Sequence, residues 1–317
     1  MNFFVSEMTF LRYFIPLIRE GNNRNIQSTV YWSPSRKYNC PLKHFENLKS
    51  LAKEFSFNIK RINDKIKNNQ ITFLIESHGH EYFNGKKISL TYMTDFRSTY
   101  NDYIKKIDYC IFPNKMFLEK FNLPDSPKNL FLGSPKYDVN LDKNTILKKY
   151  NLPDKKKCLI LFPRHRDQRN IDLIRIIEEL KNLDFEVCMK ARGKEPCPKS
   201  ISDKVRYFED ESWHPHTSME LISVSDLIIN TDSTGTKECV MLRKPVLNFK
   251  IKPFENPLNF LCDKKFCAEI KTPINYDLIS QKVNDLKNVS ANDFEGVINK
   301  YLFPLGSSKR ILDFFNL

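Results

Sequence analysis

Short apolar runs alternate with stretches of helical pattern along most of the chain. Runs rich in β-branched and aromatic residues fall at 2–5, 27–31, 57–62, 71–76, 108–112 and 129–132, then at 157–162, 185–190, 205–208, 227–230 and 245–249. Helical patterns lie between them, at 41–55, 115–121, 171–183, 217–224 and 234–242. Buried strands alternating with helices predict parallel sheets covered on both faces. The pattern breaks between 140 and 156. There the turn chemistry of Gly133-Ser-Pro-Lys-Tyr-Asp138 gives way to a short charged helix and then to Asn151-Leu-Pro-Asp-Lys-Lys-Lys157. The sequence therefore predicts an α/β protein of two doubly wound domains, one over 1–145 and one over 146–306. An amphipathic tail at 307–317 is expected to pack back on the first domain. Residues 250–290 carry the weakest pattern.

Composition agrees with this picture. A chain of 317 residues exceeds the size at which one core usually stops growing. With 41% hydrophobic and 28% charged residues it is globular, not disordered. No run is long and apolar enough to span a membrane. Glu7 and Arg12 interrupt the apolar N-terminus, which does not read as a signal peptide. The eight cysteines are scattered without a C-x-x-C and read as free thiols of a reducing, cytoplasmic setting. No metal site is expected from them.

The net charge of +13 is unevenly spread. Residues 1–150 hold 24 Lys and Arg against 14 Asp and Glu, whereas 151–317 hold 27 against 24. A basic first half points to an anionic partner, such as a phosphate-rich acceptor or lipid headgroups at the inner face of a membrane. A Lys-, Asn- and Ile-rich composition throughout accounts for the same excess. No compact basic tract with interleaved aromatics is present, which argues against nucleic acid.

Ligands of open α/β sheets bind beyond the carboxyl ends of the strands. Four segments carry polar chemistry there. Ile75-Glu-Ser-His-Gly-His-Glu81 offers His78 as a proton acceptor with Glu76 nearby, and Gly79 for a tight turn. A plain polar loop or an H-x-H metal pair reads from the same residues. Leu161-Phe-Pro-Arg-His-Arg-Asp-Gln-Arg169 sets Arg164, His165 and Arg166 before a helix, an arrangement suited to phosphate oxygens. Met189-Lys-Ala-Arg-Gly-Lys-Glu195 adds Lys190 and Arg192. The most specific segment runs from Ser225-Asp through Thr231-Asp-Ser-Thr-Gly235 to Glu238 and on to Arg243-Lys-Pro-Val-Leu247. Thr231, Asp232, Ser233, Thr234 and Gly235 would hold a diphosphate at a helix start, and Glu238 would bind ribose hydroxyls. An ordinary Ser/Thr helix cap would also use part of this string.

That last string resembles the late donor-site motif of nucleotide-sugar enzymes of the GT-B fold. Thr231, Asp232, Ser233, Gly235 and Glu238 resemble the T-D-S-G-G-x-Q-E-E motif of UDP-N-acetylglucosamine 2-epimerases, with Lys237 where that family has Gln. Other segments resemble the CDP-glycerol glycerophosphotransferase-like family. His78-Gly79 matches its W-H-G motif without the Trp. Asp108-Tyr-Cys-Ile-Phe-Pro-Asn114 resembles its D-Y-x-x-x-P/S-N, and Gly133-Ser-Pro-Lys-Tyr-Asp138 its G-x-P-R-x-D. The epimerases' opening G-T-R-P-E has no counterpart here. The resemblance covers roughly 70–250 and implies two Rossmann-like domains facing across a cleft.

The resemblance implies a transferase moving a glycosyl or polyol-phosphate group from a nucleotide-diphosphate donor to an anionic or lipid-linked acceptor hydroxyl. In that reading His78 is the base and the second domain holds the donor. The donor is a substrate, so neither a cofactor nor a metal is required. A second reading is a UDP-sugar 2-epimerase or hydrolase whose acids come from Glu76, Glu81 or Asp95. A third is a non-enzymatic basic α/β module.

Overall fold

The strand Asn2–Val5 (β1) has all four side chains buried, as expected of a central parallel strand with both faces covered. In the computed structural model, which describes residues 1–33, 44–92, 100–163, 170–191, 197–251, 258–263 and 265–317, it is followed by six more strands of one sheet. These are Thr29–Trp32 (β2), Asn58–Arg61 (β3), Thr72–Ile75 (β4), Lys87–Leu90 (β5), Tyr109–Phe112 (β6) and Asn129–Phe131 (β7). The order is β3-β2-β1-β4-β5-β6-β7, with every pair parallel.

A second sheet holds Lys157–Leu161 (β8), Glu186–Lys190 (β9), Arg206–Phe208 (β10), Leu227–Asn230 (β11), Val246–Lys250 (β12) and Cys267–Lys271 (β13). Its order, β10-β9-β8-β11-β12-β13, is again wholly parallel. Both sheets are doubly wound. The strand order reverses between β1 and β4 in the first and between β8 and β11 in the second, and those two places are the topological switch points.

Two strands escape the sequence pattern. In β5 the run Lys-Ile-Ser-Leu buries Ser89 completely, and that polar residue dilutes the apolar signal. The edge strand β13, Cys-Ala-Glu-Ile-Lys, turns Glu269 and Lys271 outward. The helix Leu11–Asn23 is also unmarked in the pattern, although it buries Leu11, Tyr13, Phe14, Ile15, Leu17 and Ile18. Helix starts follow ordinary capping chemistry. Asn114, Asp142 and Asp172 each accept a backbone N–H of the first turn with the side chain.

The chain divides into two compact units, Met1–Val139 with Lys300–Leu317, and Asn140–Asn299. Within the first unit the closing helix Ser307–Phe314 packs on Leu11–Asn23 and on the 133–138 turn. Asp138 accepts the backbone N–H groups of Gly306 and Ser308 at 2.7 and 2.6 Å. Arg310 donates to the Leu132 carbonyl at 3.3 Å. Gly133 has φ +88°, and a Cβ there would lie 2.1 Å from Ser307 Oγ. The Gly-Ser-Pro-Lys-Tyr-Asp segment is thus a seat for the end of the chain. The second unit encloses its own core, in which Ile160, Ile176, Ile177, Leu180, Met189, Ile229, Leu247 and Phe249 are fully buried.

Candidate functional site

At the first switch point Ser6 follows the end of β1 and Glu76 follows the end of β4. Because Asn2 pairs with Thr72 and Phe3 with Phe73, the two loops leave the sheet side by side. Glu76 turns the chain with φ +53°, a left-handed conformation uncommon for a residue with a Cβ. Gly79 follows at φ +76°, and a Cβ there would meet the Phe4 ring at 2.4 Å. Only glycine lets this loop lie against β1. The result places His78 Nδ1 2.9 Å from Ser6 Oγ, with the imidazole 5.5 Å from the Phe10 ring. Glu76 Oε2 is 3.9 Å from His78 Nε2, beyond hydrogen-bond range but close enough to favour a positive ring.

His80 is held differently. Its Nδ1 lies 2.9 Å from the Ser77 carbonyl and 3.1 Å from Glu81 Oε2. A carbonyl only accepts, so Nδ1 carries the proton and Nε2 is bare in the neutral ring. Farther out, Phe10 contacts Tyr92, and the Arg12 guanidinium lies over both Tyr92 and Tyr13, 5.3 and 5.6 Å from their ring centres. The buried Lys136 ammonium is 5.9 Å from the Tyr13 ring. Two basic side chains of the first half thus lie against the Tyr13 and Tyr92 rings.

At the second switch point β11 runs into the Thr231–Gly235 loop. Asp232, at φ +50°, turns its carboxylate back into the protein. It accepts from Asn248 Nδ2 at 3.0 Å and from the Ile251 backbone N–H at 3.2 Å. Asn248 in turn accepts from Asn230 Nδ2 at 3.0 Å and from the Asp232 N–H at 3.1 Å. Ser233 Oγ donates to Asn230 Oδ1 at 2.7 Å and accepts from the Gly235 N–H at 3.2 Å. A Cβ on Gly235 would sit 2.7 Å from Leu161 at the end of β8.

Asp232 and Ser233 thus brace the loop from behind. Thr234 stands exposed at its crest, and among the described residues the backbone N–H groups of Ser233 and Thr234 donate to no protein atom. Thr231 Oγ1 is buried with no hydrogen-bond partner among the described residues, and Glu238 is buried in the first turn of the helix Thr236–Met241.

Lys190, at the end of β9, is buried in an ion pair with Asp210. His216 Nε2 lies 3.4 Å from the same carboxylate oxygen. Asp210 therefore offsets the charge that Lys190 would bring to an anion. The sequence reading gave no role to Asp210 and His216, nor to Asn248 and Ser6. Ser6 had no local signal, because its partner is 72 positions away. Asp95, Arg164, His165, Arg166 and Arg192 lie outside the described residues. Among the described residues no group of three or more His, Cys, Asp or Glu could hold a metal ion, and no helix is long and apolar enough to cross a membrane.

No family profile and no curated protein sequence matches the chain. Solved structures do match, over nearly its whole length. The UDP-GlcNAc 2-epimerase of Methanocaldococcus jannaschii aligns with a TM-score of 0.65 at 13% identity, covering 100% of this chain and 99% of that one. The wall teichoic acid polymerase TagF aligns at 0.63 and 15% identity, covering 100% and 88%. A glycosyltransferase from Rickettsia africae ESF-5 aligns at 0.57 and 13%, covering 99% and 97%. In fold, this chain is similar to GT-B glycosyltransferases, to TagF and to the UDP-GlcNAc 2-epimerases.

Proposed function

We propose that the chain is a transferase that moves a glycosyl or polyol-phosphate group from a nucleotide-diphosphate donor to a hydroxyl acceptor in surface-polysaccharide or glycolipid synthesis. The observation that carries this reading is the build of the 231–235 loop. Its acid and one hydroxyl are spent on bracing, which leaves, among the described residues, two backbone N–H groups without an acceptor and the Thr234 hydroxyl exposed at a switch point. Loop N–H groups of this kind suit phosphate oxygens. Arg164, Arg166 and Arg192 are assigned to the same diphosphate, where they would stabilise the leaving charge without a metal.

The other half of the chemistry falls to the first unit. His78 Nε2 takes the proton of the acceptor hydroxyl, and Glu76 favours the resulting imidazolium. Arg12 and Lys136 give that unit an affinity for an anionic acceptor. The fold neighbours support the donor class, since one is TagF soaked with CDPG and another is a 2-epimerase bound to UDP-GlcNAc.

A thermal-shift and calorimetry screen against CDP, UDP and GDP tests the reading. One of them should stabilise the protein, by about 2.7 kcal/mol at 100 times its Kd. No shift with any of the three would sink it. The epimerase neighbours favour a second reading, a UDP-sugar 2-epimerase or hydrolase. It is told apart by incubation with UDP-GlcNAc alone: an epimerised or hydrolysed sugar in the absence of any acceptor supports the second reading over the first.

A further inference from the structure

Ser6 is the first residue past β1 and is 2% exposed. Among the described residues its side chain has one hydrogen-bond partner, His78 Nδ1 at 2.9 Å. The contact joins the two strands that part at the switch point. Nothing in the 75–81 segment reaches Nδ1 of His78 in this way, since Glu76 approaches the other nitrogen at 3.9 Å. Phe10 lies against the ring and cannot select a nitrogen. Among the described residues, Ser6 Oγ is the hydrogen-bond partner of Nδ1.

A hydroxyl can donate or accept. If Ser6 donated to Nδ1, the neutral ring would hold its proton on Nε2 and could not take another there. If Ser6 accepts from Nδ1–H, Nε2 is bare. The ring then keeps the same hydrogen bond after Nε2 has taken a proton, because Nδ1–H persists in the imidazolium. Only the second arrangement serves a base that cycles between two protonation states without turning. His80 obtains the same tautomer from a backbone carbonyl, an acceptor that no side-chain substitution removes.

We propose that Ser6 is the positioning residue of His78: its Oγ accepts from Nδ1–H and so fixes Nε2 as the proton-accepting nitrogen. The proposal rests on the reading of His78 as the acceptor's base. In the transfer the acceptor O–H proton passes to Nε2 and the acceptor oxygen bonds to the transferred group; the leaving nucleotide, a nucleoside diphosphate when a sugar moves and a nucleoside monophosphate when a polyol-phosphate moves, departs with the electron pair of the broken bond. Ser6 touches none of these atoms and acts through the ring.

The test is 15N NMR of histidine-labelled protein, together with kinetics on CDP-glycerol and UDP-GlcNAc as probe donors. In the wild type the His78 resonances should report Nδ1–H. In Ser6→Ala they should move toward the Nε2–H form, kcat should fall about 10- to 100-fold, and CDP or UDP affinity should hold. Ser6→Thr, which keeps the oxygen, should recover the wild-type tautomer and most of the rate. Thermal melts of both variants check that each is folded. A wild-type His78 protonated on Nε2, or His78 shifts unchanged in Ser6→Ala, would overturn the proposal. Failure of the underlying reading looks different: His78→Ala would then keep its kcat, while the tautomer shift in Ser6→Ala remained.

Discussion

Asp232, in the loop after β11, and Asn248 of the adjacent strand β12 exchange two hydrogen bonds. The Asn248 amide donates to the Asp232 carboxylate at 3.0 Å, and its carbonyl oxygen accepts the Asp232 backbone N–H at 3.1 Å. Exchanging the pair keeps each bond among the described residues. With Asn at 232 and Asp at 248, the new amide would accept from the Ile251 N–H and donate to the new carboxylate. That carboxylate would still accept from Asn230 and from the backbone at 232. Asp232→Asn alone should cost about 1–3 kcal/mol, because a donor then faces a donor. Asn248→Asp alone should cost more, because two carboxylates would meet out of water. The double exchange should recover most of the stability in a urea-denaturation cycle. Additive losses would show that Asp232 does more than brace the loop.

Thr234 and Ser233 should separate binding from folding. Thr234 is exposed, so Thr234→Val should leave the melting temperature almost unchanged while weakening nucleotide-diphosphate binding about 10-fold, the worth of one hydrogen bond to a charged oxygen. Ser233→Ala removes the bonds to Asn230 and Gly235 and should lower stability and affinity together. Equal calorimetric affinities for wild type and Thr234→Val would remove that hydroxyl from the site.

The two imidazoles on the Gly79 turn should differ in consequence. His78→Ala is expected to lower kcat by roughly 10²–10⁴-fold, the usual contribution of a general base, with donor affinity held. His80→Ala should do less, since its ring is tied to Ser77 and Glu81 within its own turn. Steady-state kinetics on both variants decides the matter, and equal losses would point to a shared structural role.

Lys244 gives a stability prediction with a definite sign. Burial, followed by repulsion from Lys143, lowers its pKa from 10.5 to about 8. The folded state therefore disfavours the charged form. That penalty is fully present below about pH 8 and vanishes as the pH rises past 10.5, where the side chain is neutral folded or unfolded. Lys244→Met should then stabilise the protein at pH 7 by about 1 kcal/mol, a value reduced for the partial exposure of the side chain. Denaturant midpoints should show the gain at pH 7 and its loss near pH 10.5. A variant less stable at pH 7 would mean that the ammonium is favourably held.

The sequence exposed those parts of the fold that depend on local runs. Most strands of both sheets are apolar segments bounded by turn residues, and the loops after β4 and β11 carry their chemistry in consecutive positions. Relationships across the sheet could not be read in the same way. Ser6 is unremarkable until β1 pairs with β4 and brings it to His78. Asn248 sits in an apolar strand, and its role exists only because β12 lies beside β11. Asp232 read as a ligand for the opposite reason: its string resembled a binding motif, while the direction of its carboxylate depends on a left-handed φ that the sequence does not display. The strands β5 and β13 were missed because Ser89, Glu269 and Lys271 break the apolar run.

The seat formed by Gly133 and Asp138 for the closing helix has a consequence for the order of synthesis. The second unit is one continuous segment, Asn140–Asn299, whereas the first is made of two pieces that flank it, Met1–Val139 and Lys300–Leu317. On the ribosome the unit that starts first must finish last. Its sheet is complete by β7, yet the helix that caps it through Asp138 and Arg310 is made only after the whole second unit. Throughout that interval the face of Leu11–Asn23 that receives the closing helix stands open, while the second unit is already able to close. A chain stopped short of Lys300 would lack only a tail by length, but the domain left unfinished would be the one at its beginning.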